Sequence, residues 1–180
     1  MIIYQVIACV LVADFFTGFF HWIEDTYGLP SWPIIGEAVI QPNIMHHRSP
    51  LLFTMSSFIC RNYQVVGMAT FFVLIVSLLG YLTWHVFLVA LLTSCGNEVH
   101  SWSHKRPRFW LARFLQDCSL IQTPQQHAKH HKKPYDKYFC TLTNVLNPCL
   151  ELVRFWRGLE LALRCVGVKP MRVTEERGFF

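Results

Sequence analysis

Two apolar stretches dominate the chain. Residues 1–20 are apolar apart from Tyr4, Gln5, Asp14 and Thr17, and residues 65–95 carry no Asp, Glu, Lys or Arg. A spanning helix needs about 20 apolar residues, so both stretches can enter a bilayer. The first reads as an uncleaved membrane helix over about 3–20. It lacks the basic start and small-x-small site of a signal peptide, and it runs straight into His21. The second is too long for one upright helix. Gly80 at its middle predicts a hairpin of helices at about 65–80 and 83–104, the second projecting beyond the bilayer. The expected fold is therefore all-α. It is a single-domain integral membrane helical bundle with about three transmembrane helices (about 3–20, 65–80 and 83–100) and a polar cap formed by 21–64 and 101–180.

Composition fits a membrane protein: 53% of residues are hydrophobic and 15% aromatic. Charge adds orientation. All 16 Lys and Arg fall within 48–61 or 105–177, and none within 1–47 or 62–104. By the positive-inside rule both basic blocks face the cytoplasm, which makes the protein multi-pass and the cap cytoplasmic. Seven cysteines without CxxC spacing read as reduced, mostly buried thiols. Trp22, Trp102 and Trp110 suit an interfacial aromatic belt. Segments 109–121 and 151–167 read as amphipathic helices, interfacial or simply packed. Lysines around 129–133 are the only feature favouring nucleic acid, and no nucleic-acid partner is expected.

Eight of the nine histidines fall in four tight groups, each at or just beyond the end of a hydrophobic segment: His21; His46 and His47; His100 and His104; and His127, His130 and His131. Neutral imidazole is the commonest ligand for iron and zinc, and eight imidazoles at one membrane face suffice for two ions. Asp14, His21 and Asp25 are spaced by seven and four, which places them on one helical face. His21 and Asp25 form a candidate ligand pair. Asp14 is either a polar support that orients a histidine or a helix-packing hydrogen bond. Adjacent His46 and His47 point about 100° apart on a helix, so they serve two metals, or one ligates and one supports. Asn97, His100 and His104 form one stripe, with Asn97 as polar support and the His-x-x-x-His spacing as a clamp. His127, His130 and His131 add two ligands a turn apart and a third. His85 stands alone and reads as structural. No cysteine lies within these motifs, which argues against structural zinc. Nitrogen and carboxylate ligation leaves iron able to bind O2.

The segments "ADFFTGFFHWIEDTYG", "HHRSP", "NEVHSWSH", "LQD", "HAKHH", "YFC" followed by "LN", and "FWRGLE" together resemble the Kua/CarF lipid desaturase family over about residues 12–170. The resemblance implies that His21, His46, His47, His100, His104, His127, His130 and His131 are the metal-site histidines, and it matches Asp25 to the family's Asp after its HW motif. It also implies a membrane di-iron oxidoreductase that uses O2 and an external electron donor, such as cytochrome b5 or ferredoxin, to place a C=C in a lipid chain. Conversion of plasmanylethanolamine to plasmenylethanolamine is the foremost reaction, giving the vinyl ether of plasmalogens. Desaturation or hydroxylation of a phospholipid acyl chain is the alternative. A non-catalytic membrane haem or metal carrier is the alternative of another class. The membrane is the endoplasmic reticulum in a eukaryote and the plasma membrane in a bacterium. "IEDTYG" and the apolar "LLFTMSSF" depart from the family pattern and bear on head group, acyl position and redox partner.

Overall fold

The computed structural model describes residues 1–172, so the end of the expected cap, 173–180, lies outside the described residues. Among the described residues all regular structure is helical. Helix α1 (Ile2–Tyr27) is about 39 Å long at 1.5 Å per residue. That exceeds a hydrocarbon core of about 30 Å, and its last turns, with His21 and Asp25, lie beyond the apolar stretch 1–20. A loop and a π turn over Gly36–Ile40 lead into α2 (Gln41–Arg48) and α3 (Pro50–Met55).

Helix α4 (Phe58–Leu78) begins earlier than the expected residue 65, because Ser57 caps it by accepting from the Cys60 backbone N–H. Its end matches the predicted hairpin. Gly80 has φ +77°, the Tyr81 N–H reaches the Val76 carbonyl, and the Gly80 N–H reaches that of Ser77. This is a Schellman stop, which needs the left-handed conformation that glycine adopts without strain. Thr83 then caps α5 (Trp84–Ser94) through the Val86 N–H. The continuous helix expected over 83–104 is broken at Cys95 into α5 and α6 (Gly96–His104).

Among the described residues two helices, α1 and α4, are long and apolar enough to cross a membrane. Only 6% of the most apolar stretch of α4 is buried, and Phe71, Leu74 and Leu78 stand open. Such a surface is unfavourable in water and at ease among lipid chains. α1 runs alongside α5 and α6 in the same direction. The Cys9 thiol reaches the His85 carbonyl at 3.9 Å, and Gly96 lies so close to Thr17 that a Cβ would meet its methyl at 2.8 Å. α4 returns antiparallel, so the carboxyl ends of α1 and α6 and the start of α4 share one end of the bundle.

The cap is completed by α7 (Trp110–Asp117), α8 (Pro124–His130), α9 (Leu146–Leu152) and α10 (Phe155–Cys165). Its core is Trp22, Phe139, Cys140 and Trp156. Trp22 is 2% exposed, so it is a core residue and not part of an aromatic belt; Trp110, 69% exposed, keeps that option. The cysteines are all free, but only Cys9 and Cys140 are buried, against the expectation of mostly buried thiols.

Candidate metal centre

The face of α1 bearing positions 14, 17, 18 and 21 is covered by the irregular segment 139–143. Asp14 Oδ1 accepts from the Leu142 and Thr143 backbone N–H groups at 2.9 and 3.0 Å, and Oδ2 from the Thr143 hydroxyl at 2.5 Å. Thr17 Oγ1 accepts from the Thr141 N–H at 3.1 Å. Gly18 lets Cys140 approach to where a Cβ would meet its sulfur at 2.5 Å. Gln122 and Asn147 both donate to the Cys140 carbonyl at 2.7 Å. Side chains thus supply the backbone partners that a sheet or helix would otherwise give this buried strip. The expected role of Asp14 as a histidine support does not hold, because both oxygens are spent on the strip. Asn97 likewise leaves the histidines: its amide donates to the Arg61 carbonyl at 2.8 Å and ties α6 to α4.

The strip's function is visible at its first residue. The Phe139 carbonyl meets His21 Nδ1 at 3.1 Å, and the nearby Lys137 carbonyl meets His130 Nδ1 at 2.9 Å. A carbonyl can only accept, so both imidazoles carry their proton on Nδ1 and present Nε2 as a bare lone pair. Those lone pairs face Asp25. Its Oδ2 lies 3.5 Å from His21 Nε2 and 3.1 Å from His130 Nε2, while Oδ1 lies 2.9 Å from His47 Nε2. Asn43 donates to the same Oδ1 at 2.6 Å.

His46, His100, His104, His127 and His131 form a second group. Their Nε2 atoms turn inward on one another: His127 stands 2.8 Å from His104, 2.9 Å from His100 and 3.0 Å from His131, and His46 stands 3.1 Å from His131 and 3.2 Å from His104. The two groups adjoin, with the His21 and His100 rings 5.4 Å apart. The structure therefore brings together all eight clustered histidines and Asp25. It sends His46 to one group and His47 to the other, and it separates His130 from His131 in the same way. His85 stays apart, stacked on Trp84.

Both groups fit metal ions. In the first, His21 Nε2, His130 Nε2 and Asp25 Oδ2 are buried without a well-formed hydrogen bond, although they face one point. Buried polar atoms are seldom left so. In the second, five nitrogens crowd a single locus, and at most one atom of each close pair can carry a proton. Nitrogens about 2.1 Å from a common ion and at right angles stand about 3.0 Å apart, which matches the spacing here. Burial, reinforced by neighbouring imidazoles, holds His46 and His127 well below the usual histidine range and His131 at about 2. Neutral imidazole is the form that ligates. The donor set, eight nitrogens and one carboxylate without thiolate, suits iron.

A cavity of about 530 Å³ opens onto both groups. His21, His46 and His100 stand at its polar end, while Phe16, Phe20, Met68, Phe72, Val89 and Ala90 form apolar walls on α1, α4 and α5. Along α4 the lining runs from Cys60 to Phe72, so it covers about 18 Å at 1.5 Å per residue.

Comparison with known proteins places the chain. The lipid desaturase domain family matches residues 10–172. The chain belongs to this family. Among relatives of the lipid desaturase family, it is 34% identical to plasmanylethanolamine desaturase 1 of Mus musculus over 94% of its own length and 68% of the relative. It is 34% identical to the plasmanylethanolamine desaturase of Myxococcus xanthus over 83% of its length and 56% of the relative. It is 32% identical to fatty acid desaturase 4-like 1, chloroplastic, of Arabidopsis thaliana over 88% of its length and 55% of the relative. The chain thus spans only about half the length of two of these. No solved structure matches it.

Sequence reasoning missed Asn43 and the two carbonyls. Asn43 had a signal, since it precedes His47 by one turn on α2 and both reach Asp25. The carbonyls had none, because any residue supplies one.

Proposed function

We propose that the protein is a membrane di-iron lipid desaturase. The observation that carries this is one apolar cavity, deep enough for a lipid tail, whose polar end meets two adjoining groups of inward-facing imidazoles. The His46, His100, His104, His127 and His131 group would hold one iron, and His21, Asp25, His47 and His130 the other. Iron there would supply activation of O2 to an oxidant able to take hydrogen from an unactivated C–H bond. Over one turnover a lipid –CH2–CH2– unit, O2, two electrons and two protons become –CH=CH– and two waters.

The chain's own residues define the conditions. The Phe139 and Lys137 carbonyls fix the proton on Nδ1 of His21 and His130, so their Nε2 atoms stay available. Asp25, held by Asn43, supplies the negative charge in the first group. The phenylalanines of the cavity exclude water and hold an alkyl chain in line with the histidine end. Electrons come from an external donor such as a cytochrome b5 or a ferredoxin. Exposed Lys105, Lys129 and Lys132, next to the half-buried His104 and His131, give an acidic donor a surface.

We place the substrate among ether phospholipids, with plasmanylethanolamine converted to its vinyl ether. The mouse and bacterial relatives carry that activity in their names, and a double bond beside the ether oxygen needs the chain's head-group end at the histidines. Acyl desaturation of a phospholipid is the second reading, favoured by the Arabidopsis relative. Lipid mass spectrometry separates them in a plasmalogen-deficient host fed alkyl ether lipid. Acid-labile vinyl ethers should appear with wild type and be absent with His130→Ala. A new acyl double bond without vinyl ether would move the reading to the second substrate, and product from His130→Ala would sink the site.

A further inference from the structure

The polar end of the cavity holds one cation whose placement the metal centre does not explain. Arg61, in the first turn of α4, lines the cavity with His21, His46 and His100. Its side chain is only 8% exposed. Nε and Nη2 both donate to Glu98 Oε2, at 3.2 and 2.9 Å, and Nη1 donates to the Ser56 carbonyl at 2.6 Å. Glu98 is itself fixed by Trp102 Nε1 at 3.1 Å and Asn62 at 3.3 Å. Glu98 is not among the cavity-lining residues, so it braces the guanidinium from behind. These three bonds use three of the five N–H donors of an arginine, leaving donors for a ligand in the cavity.

Burying a charge pair at a membrane interface is costly, and an arginine braced as a rigid fork is suited to phosphate. Ser56, Tyr63 and Gln64 share this end of the lining, and the amino end of α4 adds positive potential. We infer that this is a phosphate subsite: Arg61 binds the phosphodiester of a glycerophospholipid whose tail lies along Met68, Phe72 and Val89. This rests on the lipid reading above and adds to it. Only a few covalent bonds separate the phosphate from the first carbons of a glycerol-linked chain. A phosphate held on Arg61 thus presents those carbons, and not the middle of the tail, to His21, His46 and His100. Arg61 is a positioning residue that sets where the double bond falls.

The test measures binding apart from turnover. Full-length protein in detergent is titrated, with native mass spectrometry as readout, against an alkyl-acyl-glycerophosphoethanolamine and the matching alkyl-acyl-glycerol without phosphate. Inorganic phosphate is the competitor. Wild type should prefer the phospholipid by about tenfold or more, the range of one charge-assisted hydrogen-bond set, and Arg61→Gln should abolish that preference. Glu98→Gln, which leaves the guanidinium in place, should keep it. A purely structural ion pair would instead make the two variants equivalent, and that result overturns the inference. The double variant Arg61→Gln/Glu98→Gln avoids an orphan carboxylate and should also lose the preference, which covers misfolding of the single variant. Retained preference in it, or displacement by inorganic phosphate at the lipid's own affinity, would also overturn the subsite. Iron content and double-bond formation are read in parallel. Lost preference with no product from wild type would leave the subsite standing and remove the desaturase reading.

Discussion

Asp25 gathers more of the centre than any other side chain. His47 and Asn43 meet one oxygen and His21 and His130 approach the other, with Asp25 and the three histidines buried and Asn43 half-buried. Asp25→Asn keeps the shape and removes the charge, so purified protein should lose the iron of that group and retain the other, read as metal per chain. Asp14 shows how similar residues differ in role. Asp14→Ala leaves two buried backbone N–H groups without partners, each worth ~1–3 kcal/mol. Thermal unfolding should show a loss of ~2–6 kcal/mol, with iron content per folded chain unchanged. The eight histidines were legible because they fall in local groups at or just beyond the ends of apolar segments. The role of Asp14 was not, because its partners lie 128 and 129 residues away. Nor was the departure of Asn97, because a shared helical stripe with His100 does not say that α4 would claim its amide.

Among elements, α1 is the organiser, since one face binds the 139–143 strip and its end supplies His21 and Asp25. The approach at Gly18 permits no side chain, with Cys140 backbone atoms at 3.0 and 3.1 Å from a Cβ. Gly18→Val should destabilise the fold by ~1–3 kcal/mol through overpacking, seen in unfolding, and should lower iron content by moving the Phe139 carbonyl from His21. The α4–α5 hairpin was readable from a charge-free run with one glycine at its centre. The break at Cys95 was not, because the nearest constraint beside it is the close approach of Gly96 to Thr17 on another helix, which no local pattern shows. The 139–143 strip carries no periodicity and is held by Gln122, Asn147, Thr17 and Asp14, so no local pattern announces it.

For the whole molecule, the bundle puts every clustered histidine at one end and the Gly80 turn at the other. We propose three crossings, with α5 and α6 together as the third, and the histidine end in the cytoplasm, following the basic residues. Cysteine labelling in intact cells should modify Tyr81→Cys from outside and Lys132→Cys only after permeabilisation; the reverse would invert the topology. The metal-free protein should also be pH-sensitive. The depressed pKa values of His46, His127 and His131 mean that below about 6.5 the unfolded chain takes up protons that the folded one refuses. Its stability should fall as pH drops below that value, checked by thermal unfolding across pH 4 to 6.5. The most direct test of the two-metal centre is the iron content of anaerobically purified full-length protein, with His104→Ala and His47→Ala beside it. Two irons per chain are expected for wild type and about one for each variant, since each variant strips a different group. Zinc in place of iron, or a single iron lost only in one variant, would contradict a di-iron centre.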